Sequence, residues 1–180
     1  MIKRYVAALI WIALAIVSRF PSQQFRKFLY SKLFGMKLGK SCAIYGGAEI
    51  RKPWWVAIGA GSSIGHRVTL DGRGGLEIGK NVNISSEVML WTAQHDYNDP
   101  HFKTYYKKIT IEDWVWLGPR VIVLPGVTVA KGCVIAGGAV VTKDTEPFGL
   151  YGGIPAKRIG ERSQDVVFDY SPGNKYTPFV

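Results

Sequence analysis

Three histidines, His66, His95 and His101, and two cysteines, Cys42 and Cys133, are the side chains of this 180-residue chain best suited to acid–base, nucleophilic or metal chemistry. An imidazole titrates at about pH 6.5, so it can exchange a proton at neutral pH or, when neutral, ligate a metal. His95 and His101 share one stretch, residues 91–110 (WTAQHDYNDPHFKTYYKKIT), which also carries Asp96 and a run of aromatic and charged side chains. His66 stands 29 residues before His95, and a zinc site would need all three histidines to converge. The cysteines are 91 residues apart with no Cys-x-x-Cys spacing, so neither a disulfide nor a zinc framework is expected.

Holding a histidine within reach of a reacting group takes a rigid frame, and an internal repeat supplies one. Leu38, Ile44, Ile50; Ile58, Ile64, Leu70; Ile78, Ile84, Leu90; Ile111, Leu117, Val123; and Val129, Ile135, Val141 advance by six within each triplet. The first three triplets recur every 20 residues and the last two every 18, with two extra residues at one corner of the early coils. Four residues after most anchors comes a small or β-branched side chain, such as Cys42, Ala48, Val82, Val121, Cys133 and Ala139. Short strands joined by tight corners, three to a coil and stacked at about 4.8 Å, would turn both sets inward. The fold expected is mainly β, a parallel β-helix of about five coils. The glycines that directly follow anchors (Gly39, Gly59, Gly65, Gly79 and Gly118) are read as relieving its corners.

The repeat fails once. After Leu90 the next anchor is Ile111, so residues 91–110 form an extruded loop, the place where a solenoid usually carries its function. The chain divides into an arm (1–37), a β-helix with its inserted loop (38–147), and a C-terminal cap and tail (148–180).

Charge is just as uneven. The net +10 comes from 23 basic and 13 acidic residues, but residues 1–40 hold eight basic residues and no acid. The body is nearly balanced, which argues against a nucleic-acid-binding face. Residues 5–17 are an unbroken run of 13 apolar residues, short of the roughly 20 that cross a bilayer. A secretory signal fits poorly, because its cleavage-like triplet, Ala13-Leu14-Ala15, begins only eight residues into the run. Pro21 breaks the helix and Ser22 caps a second one, in which Phe25, Phe28, Leu29 and Leu33 recur among Arg26, Lys27 and Lys32. The arm reads as lying in an anionic membrane interface; the alternative is a helical pair over the end of the core or an oligomer contact.

Five segments in order carry a family resemblance: residues 81–96 (NVNISSEVMLWTAQHD), 111–118 (IEDWVWLG), 124–129 (LPGVTV), 141–144 (VTKD) and 153–157 (GIPAK). Over about residues 38–160 the chain resembles the hexapeptide-repeat O-acetyltransferases, most closely those of capsule, colanic-acid and other exopolysaccharide pathways. The resemblance implies a left-handed coil, where the usual crossover rule would favour the right hand. It also implies a homotrimer with sites at subunit junctions, acetyl-CoA as co-substrate, no metal, and a sugar or glycan hydroxyl as acceptor. With the basic arm, this suggests a lipid-linked acceptor and a peripheral enzyme at the cytoplasmic face of the bacterial inner membrane.

Matched position by position, the resemblance makes His95 the catalytic base. Trp116 and Gly118 fall beside the pantetheine arm, with Pro119 where a small residue is common. Gly137, Thr142 and Lys143 match coenzyme A contacts, and Lys157, with Arg158, matches basic residues near its phosphates. Asp71, Asp96 and His101 are candidates for the acceptor side, and Asp96 or Glu87 for orienting the imidazole. No Gly-x-Ser-x-Gly nucleophile elbow is recognised, so direct attack in a ternary complex is expected rather than an acyl-enzyme. The competing readings are a γ-carbonic-anhydrase-like zinc lyase on the same coil and a non-catalytic membrane-bound scaffold.

Overall fold

The computed structural model describes residues 2–165. The aromatic residues of the tail that the sequence leaves without a role (Phe168, Tyr170, Tyr176 and Phe179) lie outside them. The repeat anchors stack in the expected register. On the first face Leu38, Ile58, Ile78, Ile111 and Val129 are successive parallel partners. On the second face the ladder runs Ile44, Ile64, Ile84, Leu117, Ile135 and on to Tyr151, which opens a sixth turn. The third face stacks Ile50, Leu70, Leu90, Val123 and Val141. Fourteen of the fifteen anchors are buried and Leu38 is partly so; Cys42 and Cys133 are fully enclosed free thiols. The two extra residues of the early coils add a further inward side chain to the first face, at Val56, Leu76 and Ile109.

The corners follow a different rule from the one the glycines suggest. Left-handed backbone falls three residues after the anchor, at Ser41, Gly61, Asn81, Trp114 and Gly132 on one edge and Gly47, Arg67, Glu87, Arg120 and Gly138 on the next. Glycine directly after the anchor answers a different need, the close approach of stacked backbones. A Cβ on Gly118 would lie 2.6 Å from the Gly137 nitrogen, one coil away.

Both ends of the coil are covered. At the C-terminal end, Gly149–Gly152 extends the second face and Lys157–Glu161 folds back antiparallel to it. At the other end sit two helices, α1 (Ile2–Ser18) and α2 (Gln23–Lys32). The Ser22 hydroxyl caps α2 by accepting from the Phe25 amide at 3.3 Å. Leu14, Val17, Tyr30, Phe34 and Met36 join the coil interior in one core. Arg26, grouped in the sequence with the basic Lys27 and Lys32, is only 2% exposed. Its guanidinium donates to the carbonyls of Phe20, Pro21 (3.1 Å) and Ile44 (2.9 Å), tying the helix–helix turn to the first coil.

Candidate active site

The loop leaves the third face after Leu90, and its neck is held by a buried carboxylate. Asp71, fully enclosed, accepts from the Arg73 amide (3.0 Å) and guanidinium (2.8 and 3.0 Å) and from the Thr92 amide (3.1 Å). The Thr92 hydroxyl donates to the Asp71 carbonyl at 2.9 Å and accepts from the Gly74 amide at 2.8 Å. The Thr92 carbonyl takes the Lys107 amide at 2.9 Å, which closes the far side of the neck. Burial would raise the Asp71 carboxyl, but the hydrogen bonds from Arg73 and Thr92 outweigh it and hold it below its ordinary value. The carboxylate offered as a sugar ligand is therefore taken up inside the protein, joining a coil corner to the loop.

Beyond the neck the chain forms a short antiparallel hairpin, Ala93–His95 against Thr104–Tyr106, with His95 opposite Thr104. The tip between them is self-bonded. The Asp96 amide donates to the Lys103 carbonyl (2.9 Å), the Asp96 carboxylate accepts from the Asn98 amide (2.9 Å), and Asp99 accepts from the His101 amide (2.8 Å). Phe102 adopts left-handed backbone, φ 51°, and its carbonyl lies 2.7 Å from His95 Nδ1. Its ring stacks on the imidazole at 4.3 Å and 8°, and Thr104 Oγ1 lies 3.2 Å from the same nitrogen. A carbonyl only accepts, so in the neutral ring this contact places the proton on Nδ1 and leaves Nε2 as the acceptor.

The carboxylates considered for orienting His95 are engaged elsewhere. Glu87 bridges Arg67 and Arg120 (2.6 Å to Arg120) along one edge, and these two cations lower its pKa, the Arg120 hydrogen bond most. Asp96 serves the tip. Sequence reasoning missed Phe102 and Thr104: the Phe102 ring is one of several aromatics in the loop, and the carbonyl that meets Nδ1 is a backbone atom that no residue type announces. His66 packs at 5.2 Å against Tyr45 on the edge between the second and third faces, whereas the loop with His95 and His101 leaves the edge between the third and first. Among the described residues no group of three His, Cys, Asp or Glu side chains could hold a metal.

The donor-side residues divide between two edges of the prism. Trp116, about half exposed and donating from its indole to Ser85 Oγ at 3.3 Å, leads into Gly118. Gly118 stacks on Gly137, so these three share the edge between the second and third faces. Thr142 and Lys143, exposed, follow the third-face anchor Val141 and so share the loop's edge, two coils on. Lys157 is exposed on the C-terminal strand, where its neighbour Arg158 pairs with Glu146 and Glu161 at 2.6 and 2.8 Å. The stretch Gly61–Gly65 (GSSIG) does match the Gly-x-Ser-x-Gly spacing, contrary to the sequence reading. It is a coil corner and a two-residue parallel strand with both serines buried, not a strand-to-helix elbow.

A stacked hexapeptide coil with one extruded histidine loop defines a class of transferase, and comparison with known proteins agrees. Residues 108–143 match the bacterial transferase hexapeptide family (six repeats). The chain is 34% identical over 139 residues to a putative colanic acid biosynthesis acetyltransferase, WcaF, of Escherichia coli K12, covering 77% of this chain and 76% of that one. It is 34% identical over 134 residues to a galactoside O-acetyltransferase of Lactococcus lactis, covering 69% and 60%. A hexapeptide-repeat acetyltransferase from Vibrio cholerae superposes with a TM-score of 0.80 at 28% identity, over 89% of this chain and 92% of that one. A second structure of that protein, holding acetyl coenzyme A, superposes at 0.59 with 24% identity over 84% of each chain. The chain belongs to the hexapeptide-repeat transferase family and is an acetyltransferase of it, with the left-handed β-helix of that class.

Proposed function

We propose that the protein transfers an acetyl group from acetyl-CoA to a sugar hydroxyl of a polysaccharide or oligosaccharide, with His95 as general base. The observation that carries this reading is the 2.7 Å contact between His95 Nδ1 and the Phe102 carbonyl, which in the neutral ring directs Nδ1–H to that carbonyl and leaves Nε2 open on an exposed hairpin. In the reaction the acceptor hydroxyl gives its proton to Nε2 as its oxygen attacks the thioester carbonyl. The tetrahedral intermediate collapses, breaking the carbon–sulfur bond, and the imidazolium returns the proton to the departing thiolate. The Phe102 carbonyl and ring face the imidazole that becomes positive, so they stabilise the charged form where it develops.

The division of donor-side residues between two edges supports a trimer in which the loop of one subunit meets the Trp116–Gly137 edge of its neighbour. The names of the relatives support a carbohydrate acceptor, and the basic apolar arm supports a lipid-linked one at the cytoplasmic membrane face. Purified protein given acetyl-CoA and acceptor glycan should release coenzyme A thiol. His95→Ala should lower kcat by about 10²–10⁴ with the acetyl-CoA Kd little changed. Full turnover by His95→Ala would overturn the assignment.

A further inference from the structure

The two-helix arm has one face committed to the core and another that nothing among the described residues covers. On α1 the outward stripe is Tyr5, Leu9, Ile12 and Ile16, at i, i+4, i+7 and i+11, and these residues are 50–68% exposed. On α2 Phe25 and Phe28 face outward, and Phe20 packs on Phe25 at 4.6 Å, joining the two stripes. Contiguous exposed apolar surface of this kind marks an interaction site. The arm and the start of the coil carry exposed Arg19, Lys32, Lys37 and Lys40, and the first carboxylate in the sequence is Glu49.

We infer that this face docks the protein in the plane of an anionic lipid surface. Charge decides between lipid and a second copy of the chain: two arms facing each other would oppose like charges, whereas anionic headgroups complement them. Geometry decides between lying on the bilayer and crossing it. No described helix is long and apolar enough to span, and Leu14 and Val17, on the opposite side of α1, are held in the core. The arm therefore lies flat with its outer stripe in the headgroup–acyl boundary. The loop bearing His95 leaves the third coil, two stacking steps or about 10 Å along the coil from the arm's end. This deepens the reading above, and rests on it only in making the docked enzyme's acceptor a lipid-linked glycan.

Co-sedimentation with vesicles tests the docking directly. The protein should bind vesicles of phosphatidylcholine with 30% phosphatidylglycerol at least about tenfold more tightly than pure phosphatidylcholine, at about fivefold per basic residue near the surface, and should lose that preference in high salt. Ile12→Glu/Ile16→Glu should abolish binding while leaving the melting temperature, the oligomer mass and acetylation of a soluble acceptor unchanged. Absence of binding to the anionic vesicles, or undiminished binding by the double variant, would overturn the proposal. So would a fall in oligomer mass, which would show that a second copy covers the stripe. Vesicle binding by a protein that transfers no acetyl group would leave the docking intact and sink the proposed reaction instead.

Discussion

Asp71→Asn separates two roles for one carboxylate, a sugar ligand or the pin of the loop's neck. The substitution keeps the side chain's shape, removes its charge, and sets an amide N–H against the Arg73 guanidinium or the Thr92 amide. Removing one partner of a buried ion pair costs about 3–5 kcal/mol. Arg73 keeps 28% of its side chain exposed, so water recovers part of that and about 2–3 kcal/mol is expected. For a chain of this size the loss corresponds to a fall of about 4–10 °C in Tm. The effect should be local as well as global: the Thr92 and Lys107 amides, on the two sides of the neck, should exchange hydrogen faster than amides of the central coils. Asp71→Asn/Arg73→Gln removes the stranded cation along with the anion and should recover more than half of the loss.

The same carboxylate sets a pH signature. Its pKa is lower in the folded protein than the ordinary carboxylate value of about 3.9. Its contribution to stability is therefore complete above that value and is lost as pH falls through the folded-state pKa. Wild type should lose stability over that acidic window more steeply than Asp71→Asn, measured by chemical denaturation at a series of pH values. Wild-type stability in Asp71→Asn, with a raised KM for the acceptor alone, would refute the reasoning and return Asp71 to the sugar site.

Two further substitutions probe the frame. Burial holds the Tyr30 phenol at about 12, against the opposing pull of the Arg26 charge, and among the described residues its hydroxyl has no hydrogen-bond partner. Tyr30→Phe should raise stability by about 1 kcal/mol in urea melts at pH 8. It should also remove a loss that wild type shows as pH rises from about 10 through about 12, since a group with a raised pKa stabilises the fold only while protonated. Gly118→Ala sets a methyl 2.6 Å from the Gly137 nitrogen and 2.9 Å from the Ile135 carbonyl oxygen; both are backbone atoms, and about 1–3 kcal/mol should be lost. Gly138→Ala, with nothing within 4 Å of the new methyl but φ +74°, should cost about 1–2 kcal/mol from backbone strain alone. Thermal melts of the pair distinguish steric from conformational demand.

The register of the coil was legible because each inward position must be apolar and each stacked position must repeat. Ile64 meets Ile84 for the same reason that it resembles it in sequence. The conformational demand at the corners was not legible. Arg67, Glu87, Arg120 and Trp114 all adopt left-handed backbone, and none belongs to a residue type that advertises it. The side chains of the first three pair across successive coils as an Arg67–Glu87–Arg120 ladder on the surface, an arrangement that exposed ion pairs stabilise only slightly.

The site shows the same division in sharper form. The break in the repeat exposed the loop, and the loop contained His95, because an interruption of a regular pattern is visible in residue types. What positions that histidine is written in none of them. Its Nδ1 is held against the carbonyl of Phe102, and that carbonyl is aimed by left-handed backbone at Phe102 and by a tip whose turns Asp96 and Asp99 hold from within. The carboxylates that looked like partners for the imidazole, Asp96 and Glu87, shape the turn and bind the arginine ladder. A side-chain reading looks for a charge to orient His95, but a charge would have raised the basicity of Nε2 and bound the imidazolium tightly. A neutral carbonyl fixes the ring through a weaker hydrogen bond than a carboxylate would make, and in the proposed reaction that leaves the imidazolium readier to return its proton to the leaving thiolate.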